Sequence, residues 1–234
     1  MEEKISKLDY DKLAEEYISM VYQGTSGFIS YYHGQREEAE KEKVYLTYGE
    51  ILYPSLNKVL DYLDINENDV FYDFGSGVGK VALQVMLTTP IKKAIGIEAN
   101  KKRNDVAVKV YSNVKKEFKE LFENRQMECM NKNFLTVDVS DATIIYACST
   151  LFEPILLKDI GDIVDKCPNI KYLISIPSVK YDYAHIPCKK LLVEDIMDID
   201  CTWDKTVAYI YTLKGTGEKL PYRKPYTPPP ADSE

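Results

Sequence analysis

The sequence predicts an α/β protein whose doubly wound, mostly parallel sheet of seven strands ends in an antiparallel hairpin. From residue 70 onward, short apolar runs that are typical of buried strands alternate with helical patterns, which favours parallel strands. After residue 190, two strand-like segments follow each other with only a short turn between them, which favours a terminal antiparallel strand. The 234 residues suit one such domain with a short extra segment.

Two helical patterns precede the first strand. Apolar residues recur at roughly helical spacing over residues 8–22, and again from residue 48 to residue 63. In the second pattern Pro54 is compatible with a helix only if it lies in the first turn. The intervening segment 34–43 is dominated by charged residues and is predicted to be a solvated helix or loop.

The alternating part of the chain supplies the sheet and its crossover helices. The predicted strands are 70–74, 93–99, 127–134, 142–149, 171–177, 191–199 and 206–213. The predicted helices are 78–88, 100–124, which Asn100 caps, and 154–166. We therefore divide the chain into a helical segment 1–46, a main domain 47–214 and a Pro-rich tail 215–234 that is predicted to be disordered.

Composition excludes several classes of function. A net charge of −7 argues against a broad nucleic-acid footprint, and solubility is the simpler explanation of that acidity. No apolar run reaches the length of a membrane helix, and residues 1–20 lack a signal-peptide pattern. The odd number of scattered cysteines, with only two histidines, argues against a metal site and favours reduced thiols in the cytoplasm.

The stretch FGSGVGKV, residues 74–81, places three glycines in five positions directly after a predicted strand. A P-loop would need glycine at Phe74 and a hydroxyl residue at Val81, so that template fails. A dinucleotide fingerprint fits poorly, because the third glycine comes one position early and Lys80 stands in its place. The template of an acidic residue followed by three alternating glycines is matched in full by Asp73, Gly75, Gly77 and Gly79.

That third template is typical of sites for S-adenosylmethionine, which carries no phosphate. Glycines let the backbone approach the ligand closely, and Asp73 can face its ammonium group. Glu98 follows 19 residues after Gly79, at the end of the next strand, where a carboxylate can accept hydrogen bonds from both ribose hydroxyls. The alternative is that the glycines only form a tight turn and that Glu98 is a surface acid.

Several motifs together resemble the non-SET histone-lysine methyltransferases, the family named for disruption of telomeric silencing. The motifs are TYGE (47–50), DFGSGVGKVALQV (73–85), IE (97–98), NF (133–134) and W…VAYIYTL (203–213). The resemblance spans about residues 45–213. It implies a Rossmann-like class I methyltransferase domain over 47–214 that transfers methyl groups to lysines of histones or other basic proteins.

The resemblance also assigns residues to roles. It implies cofactor binding by Tyr48, Gly49, Glu50, Ile51, Asp73, Phe74, Gly75, Ser76, Gly77, Val78, Gly79, Lys80, Glu98, Asn133 and Phe134. It implies a lysine channel with walls formed by Tyr146, Phe152, Trp203 and Tyr209. The residues expected to act in catalysis are Tyr48, Cys148, Trp203 and Tyr209, with no metal.

An aromatic channel suits lysine methylation. Methyl transfer to an amine needs a neutral lysine and close alignment more than it needs a strong base. An apolar channel lowers the pKa of the substrate lysine, and ring faces favour the cationic groups involved. For each of the four rings the alternative is that it only packs in the core. This alternative is weakest for Trp203, which is the single tryptophan and lies in a predicted turn.

Three departures from the family pattern bear on the substrate. Cys148 stands where the family has an asparagine, Asn133 replaces an adenine-contacting acid, and the basic DNA-binding extension is missing. We therefore expect a protein substrate with a basic surface, no membrane and no strong nucleic-acid binding. We expect the cytoplasm, or the nucleus if the substrate is a histone. A small-molecule methyltransferase and a non-catalytic cofactor-binding module stay open as alternatives.

Overall fold

The computed structural model describes residues 7–27, 48–177 and 183–213. The helices are α1 (Lys7–Val21), α2 (Tyr53–Tyr62), α3 (Lys80–Thr88), α4 (Lys101–Glu117) and α5 (Pro154–Val164). The strands are β1 (Val70–Phe74), β2 (Lys93–Ile97), β3 (Gln126–Met130), β4 (Ile144–Cys148), β5 (Tyr172–Ile176), β6 (Leu191–Asp200) and β7 (Lys205–Leu213). Two short 3-10 helices lie at Lys119–Phe122 and Phe134–Thr136.

The seven strands form one sheet in the order β3-β2-β1-β4-β5-β7-β6. Strands β1 to β5 are parallel, whereas β7 lies antiparallel between β5 and β6. This topology confirms the predicted doubly wound sheet with its antiparallel terminal hairpin. The chain reverses its direction of travel across the sheet between β1 and β4, and ligands of open α/β sheets bind at such a point.

Helices cover both faces of the sheet. Most buried apolar residues of α1 to α4 belong to one hydrophobic cluster, and those of α5 belong to a second cluster on the opposite face. Strand β1 is buried along its whole length, as expected of a central parallel strand. The loops after β1, β2 and β4 therefore emerge together at one edge of a rigid sheet.

The helix predicted to begin near residue 48 begins instead at Tyr53, with Pro54 in its first turn. The preceding residues are held in an extended conformation because they pair with the hairpin. Ile51 forms an isolated antiparallel bridge with Cys201. An apolar pattern alone does not reveal this competing backbone pairing.

Three other predicted boundaries are wrong by a few residues. The helix predicted from residue 78 begins at Lys80, because Gly77 and Gly79 adopt left-handed conformations. The helix predicted to reach residue 124 ends at Glu117, because Phe118 leaves the helical region with φ −110° and ψ 52°. The strand predicted over 127–134 ends at Met130, and a short 3-10 helix takes up its last residue.

Two predicted segments, the charged stretch 34–43 and the tail 215–234, lie outside the described residues. The proposed boundaries at 46/47 and 214/215 likewise stay predictions. Within the described ranges, no helix is long and apolar enough to cross a membrane. The same ranges contain no group of three or more potential metal ligands.

Candidate active site

The glycine loop lies directly after β1, at the carboxyl edge of the sheet. Gly75, Gly77 and Gly79 all have positive φ, at 82°, 57° and 86°. Side chains other than glycine rarely adopt that conformation, so the loop requires these residues for its backbone path. At Gly77 a Cβ would also come within 2.5 Å of Tyr48 Cε2, because the loop packs closely against that ring.

Two tyrosines that the sequence analysis did not single out hold this loop in place. The Tyr22 hydroxyl donates to the carbonyl of Val78 at 2.9 Å. The Tyr111 hydroxyl donates to the carbonyl of Gly79 at 2.7 Å. Both rings are buried, and burial is the main cause that raises the pKa of each phenol. The hydroxyls stay protonated and fix the glycine loop.

Glu98 is buried and joins the second strand to the glycine loop. Its Oε2 accepts from the backbone N–H of Gly77 at 2.8 Å, and its Oε1 accepts from that of Asn100 at 2.7 Å. Burial raises the pKa of Glu98, while these two bonds and the Arg103 charge lower it. A carboxylate has about four lone-pair positions, so each oxygen retains acceptor capacity for a ligand hydroxyl.

Asp73 is the least satisfied polar group of the site. Its side chain is 1% exposed, and its Oδ2 accepts no hydrogen bond from any residue that the structure describes. Burial, reinforced by the nearby Glu98 charge, raises the pKa of Asp73 well above its ordinary value. A buried acceptor without a donor is costly, and its position beside the glycine loop indicates a ligand that supplies a donor.

Tyr48 covers the glycine loop from the other side. Its ring lies against both Gly27 and Gly77, where an added Cβ would overlap it. The guanidinium of Arg103 lies over the ring, with Cζ 4.7 Å from the ring centroid. The Tyr48 hydroxyl donates to Glu50 Oε1, and burial together with that carboxylate raises the pKa of Tyr48 above its ordinary range. Tyr48 is thus a fixed, neutral wall of the site.

The segment 48–52 is docked on the turn between β6 and β7. The backbone N–H of Glu50 donates to Thr202 Oγ1 at 3.0 Å, and the Thr202 N–H donates back to the Glu50 carbonyl at 2.8 Å. The Leu52 N–H donates to the Asp200 carbonyl at 2.9 Å. Through these bonds, residues some 150 positions apart in the chain come to one place.

Trp203 completes this contact. Its indole ring packs against Gly49, where there is no room for a Cβ. The side chain is 40% exposed, so one face of the ring contacts the loop and the remainder faces solvent. The neighbouring Glu50 forms an ion pair with Lys80 at 2.7 Å. Trp203 therefore packs on the segment 48–52, and its role in the lysine channel stays a prediction.

A small cavity of about 40 Å³ lies where these elements meet. It is lined by Tyr48, Gly49, Glu50, Ile51, Asp73, Gly75, Ser76, Gly77, Lys80, Val81, Gln84, Tyr146 and Cys148. Most of the residues predicted to bind a cofactor thus share one cavity. Since pockets that hold small molecules measure about 300 Å³ or more, this cavity accommodates only part of such a ligand.

Three phenylalanines form a stack on the opposite face of the sheet. The rings of Phe74 and Phe134 are parallel at 4.8 Å, and Phe152 stacks on Phe134 at 6.2 Å. Asn133 precedes this stack and caps the short 3-10 helix by accepting from the Leu135 N–H at 3.0 Å. The residues assigned to adenine binding therefore lie together, next to the carboxyl ends of β1 and β3.

The four residues predicted to line a lysine channel are divided by the sheet. Tyr146 is 2% exposed and belongs to the cluster under α1 to α4. Phe152 and Tyr209 belong with the opposite cluster, and the Tyr209 hydroxyl donates to the Tyr183 carbonyl at 3.4 Å. Trp203 is at the surface. Only Tyr146 and Trp203 lie on the side where Tyr48 closes the site.

Cys148 ends β4 and lines the cavity together with Tyr146. Burial raises the pKa of the Cys148 thiol to about 12, which outweighs a hydrogen bond with Thr150. The side chain is therefore a neutral thiol at physiological pH, and neither a nucleophile nor a base. It can still contribute a small, weakly polar surface where the family has an amide.

The residues that the sequence analysis missed hold the site in place through contacts, and they belong to no sequence motif of a reaction or a ligand. Tyr22, Tyr111 and Thr202 act through long-range hydrogen bonds, which no local pattern reveals. Arg103 did leave a signal, because it shares a buried helical face with Ala107 and Tyr111 at four-residue spacing. A charged residue on a buried helical face is rarely found without a partner, so its presence there indicates a specific contact.

A profile of the family described as "Histone methylation protein DOT1" matches residues 39–202. The chain belongs to this family. The match includes the segment 48–52, the glycine loop, Glu98 and the start of the terminal turn. It confirms the resemblance that the sequence motifs indicated.

Curated relatives of this DOT1-family chain match parts of it. A histone-lysine N-methyltransferase specific for H3 lysine-79 from Caenorhabditis elegans is 29% identical over 117 residues, which are 47% of this chain and 12% of that protein. A protein of the same name from Drosophila melanogaster is 43% identical over 51 residues, 22% of this chain and 3% of that one. A protein-lysine N-methyltransferase from Saccharolobus islandicus is 27% identical over 90 residues, 38% of this chain and 52% of that one.

Solved structures share the fold at low identity. A putative methyltransferase from Escherichia coli, yhhF, has a TM-score of 0.54 at 12% identity, covering 69% of this chain and 87% of that one. A protein of the NADB-Rossmann superfamily from Streptococcus agalactiae has a TM-score of 0.52 at 15% identity, covering 69% and 68%. These similarities support the Rossmann-like sheet of this DOT1-family chain.

Proposed function

We propose that this DOT1-family domain transfers a methyl group from S-adenosylmethionine to the side chain of a lysine in a protein with a basic surface. The observation that carries the proposal is the unpaired, buried Asp73 carboxyl beside a glycine loop that is also bound to Glu98. Membership of the family and the names of its relatives agree with this reaction.

The residues present fit S-adenosylmethionine. Asp73 can accept from the ammonium group of its methionine part, which would supply the missing donor. Glu98 retains lone pairs for the ribose hydroxyls, and Phe134 with Asn133 is suited to a flat, polar-edged base. Lys80 is already paired with Glu50, so the loop offers no unpaired lysine for a phosphate. When bound, S-adenosylmethionine supplies an electrophilic methyl group on a sulfonium.

The side chains around the cavity act by shape and polarity. Tyr48 and Trp203 flank Gly49 and form an aromatic mouth that suits an extended lysine stem. Tyr146 and the neutral Cys148 line the interior, where low polarity favours the uncharged amine needed for attack. No strong base is required, because the substrate lysine can lose its proton to water before it is aligned. Phe152 and Tyr209, which pack with the opposite cluster, are not included in this mouth.

The proposed substrate is a basic protein rather than a nucleic acid. The chain carries a net charge of −7, which would attract a basic surface and repel phosphates. The chain spans about half of the archaeal relative and far smaller shares of the two animal relatives. A histone and another basic protein are therefore both candidates, and the compartment follows the substrate, nuclear for a histone and cytoplasmic otherwise.

Isothermal calorimetry with three ligands tests the cofactor half of the proposal. We expect S-adenosylhomocysteine to bind, and NAD and ATP not to bind, because the glycine loop fits neither the dinucleotide fingerprint nor the P-loop and Lys80 is paired with Glu50. Tight binding of NAD would contradict the proposal. Binding of S-adenosylhomocysteine without methyl transfer to any protein would instead support the non-catalytic alternative.

A further inference from the structure

Arg103 lies where three parts of the cofactor site meet. It is the third residue of α4, the helix that follows β2 and Glu98, and it is 3% exposed. Its backbone N–H donates to the capping side chain of Asn100 at 3.1 Å, which fixes the start of the helix. Arginine is rarely this buried unless its charge and its donors are used.

The guanidinium contacts groups from both sides of the site. Its Nε donates to the Gly27 carbonyl at 2.9 Å, and its Cζ lies 4.7 Å from the centroid of the Tyr48 ring. Gly27 itself lies against that ring, so the hydrogen bond and the ring contact fix the same part of the molecule. The positive charge of Arg103 also acts on Glu98.

Arg125 shows what a purely structural arginine looks like in this protein. Its Nε donates to the Ile91 carbonyl at 2.8 Å, and its Nη2 donates to the carbonyls of Met86 and Thr89 at 2.8 and 2.6 Å. These groups lie near the start of β2, at the end of the sheet away from the glycine loop. Arg103 differs because it contacts a ring and influences a carboxylate of the proposed cofactor site.

We propose that Arg103 is a positioning residue of the cofactor site, where it holds the Tyr48 ring against the glycine loop and supplies positive charge beside Glu98. The proposal rests on the proposed function, since it takes these two residues as parts of an S-adenosylmethionine site. Removal of the guanidinium would release Tyr48 and take away the positive charge that lowers the pKa of the buried Glu98.

This role has a consequence for the pH dependence of binding. The groups that face Glu98 are Asp73 from β1, Cys129 from β3 and Arg103 from α4, together with two backbone N–H donors. Burial raises the pKa of Glu98 and Arg103 lowers it, so loss of the Arg103 charge raises it further. Cofactor binding needs the carboxylate, and its affinity would then begin to fall at a higher pH than in the wild type.

The test is calorimetric titration with S-adenosylhomocysteine from about pH 5.5 to about pH 8.5. We expect Arg103→Met to weaken binding about tenfold or more at the upper pH and to shift the acidic loss of affinity to higher pH. Arg103→Lys should restore the pH profile but only part of the affinity, because an ammonium does not reproduce the planar guanidinium. Arg125→Met should lower thermal stability but leave the affinity for S-adenosylhomocysteine and its pH profile unchanged.

A second variant leaves the arginine intact. Gly27→Ala places a methyl group against the Tyr48 ring at a residue whose φ is not positive, so the ring is displaced without backbone strain. It should weaken binding as well, which tests the position of the Tyr48 ring, and Arg103→Lys tests the arginine itself if Arg103→Met fails to fold. Wild-type affinity and pH profile in Arg103→Met or Arg103→Lys, or wild-type affinity in Gly27→Ala, would overturn the role of Arg103. Failure of the wild type to bind S-adenosylhomocysteine would instead overturn the proposed function itself and this role with it.

Discussion

At the scale of single residues, the most informative group is the buried carboxyl of Asp73. Its Oδ2 accepts no hydrogen bond within the described structure, and the proposed function assigns the carboxyl to the ammonium group of the cofactor. Active sites commonly hold groups that destabilise the empty protein and are satisfied by the ligand. The same carboxyl should therefore lower the stability of the free protein and raise its affinity for the cofactor.

The variant Asp73→Asn separates these two effects. The pKa of Asp73 is raised in the folded state, so stability is fully present below the unfolded pKa and is lost as the pH rises through the folded pKa. As the pH rises above the range in which an ordinary aspartate titrates, the wild type should therefore lose stability relative to Asp73→Asn. Thermal unfolding detects this, since 1 kcal/mol shifts Tm by about 2–4 °C in a chain of this size.

The same variant should bind S-adenosylhomocysteine at least tenfold more weakly, because an amide cannot pair with an ammonium as a carboxylate does. The other titrating groups are the same in the wild type and in Asp73→Asn, so their contributions to the pH dependence of stability cancel when the two proteins are compared. A free Asp73→Asn protein that is less stable than the wild type at high pH would show that the carboxyl has an internal partner. Unchanged affinity would remove Asp73 from the cofactor site.

At the scale of elements, the glycine loop and the segment that covers it form one unit. Gly75 and Gly77 both have positive φ, but only at Gly77 would a Cβ meet another side chain. Alanine at either position costs about 1–2 kcal/mol in backbone strain. A comparison of Gly75→Ala with Gly77→Ala therefore separates the effect of backbone strain in the loop from the effect of displacing the Tyr48 ring.

We expect Gly77→Ala to lower the affinity for S-adenosylhomocysteine much more than Gly75→Ala does, with comparable losses of thermal stability. The added methyl group at Gly77 lies 2.5 Å from Tyr48 Cε2, whereas at Gly75 nothing lies within 4 Å. Calorimetry and thermal unfolding of the two variants measure both effects. Equal losses of affinity would mean that Tyr48 takes no part in binding.

The β6–β7 turn is the second element that carries function, through Trp203. We expect Trp203→Ala to reduce methyl transfer about tenfold or more, a barrier increase of about 1.4 kcal/mol, because the mouth for the lysine stem is lost. The affinity for S-adenosylhomocysteine should change much less. Leu192→Ala, an exposed apolar side chain on the same hairpin, is the matched control and should be neutral. Normal turnover of Trp203→Ala would remove Trp203 from the channel.

At the scale of the whole molecule, the sequence was sufficient for the sheet and its crossover helices, whereas the roles of the site residues stay predictions. Alternation of apolar runs predicted every strand, and the spacing from Asp73 to Glu98 predicted which two carboxyls would meet the glycine loop. These features depend on local patterns and on the rule that parallel strands end at one edge. They follow from residues that lie close together in the chain.

The residues that hold the glycine loop, and the face of the sheet on which each ring lies, depend on long-range contacts that no local sequence pattern encodes. Tyr22 and Tyr111 reach the glycine loop across 56 and 32 positions, and the chain has 19 tyrosines from which to choose. Insertion of β7 between β5 and β6 decides which ring faces which side of the sheet. Tyr146 and Tyr209 consequently lie on opposite faces, and periodicity alone could not assign them.

The central claim is that the chain methylates lysine in protein, and direct identification of the product tests it. The protein is incubated with labelled S-adenosylmethionine and separate pools of histones, other basic proteins, nucleic acid and small metabolites, with Gly77→Val as the inactive control. The account predicts label in protein alone, located by mass spectrometry on the ε-nitrogen of lysine and absent with the control. Label on nucleic acid or on a small molecule, or methyl groups on a residue other than lysine, would contradict it.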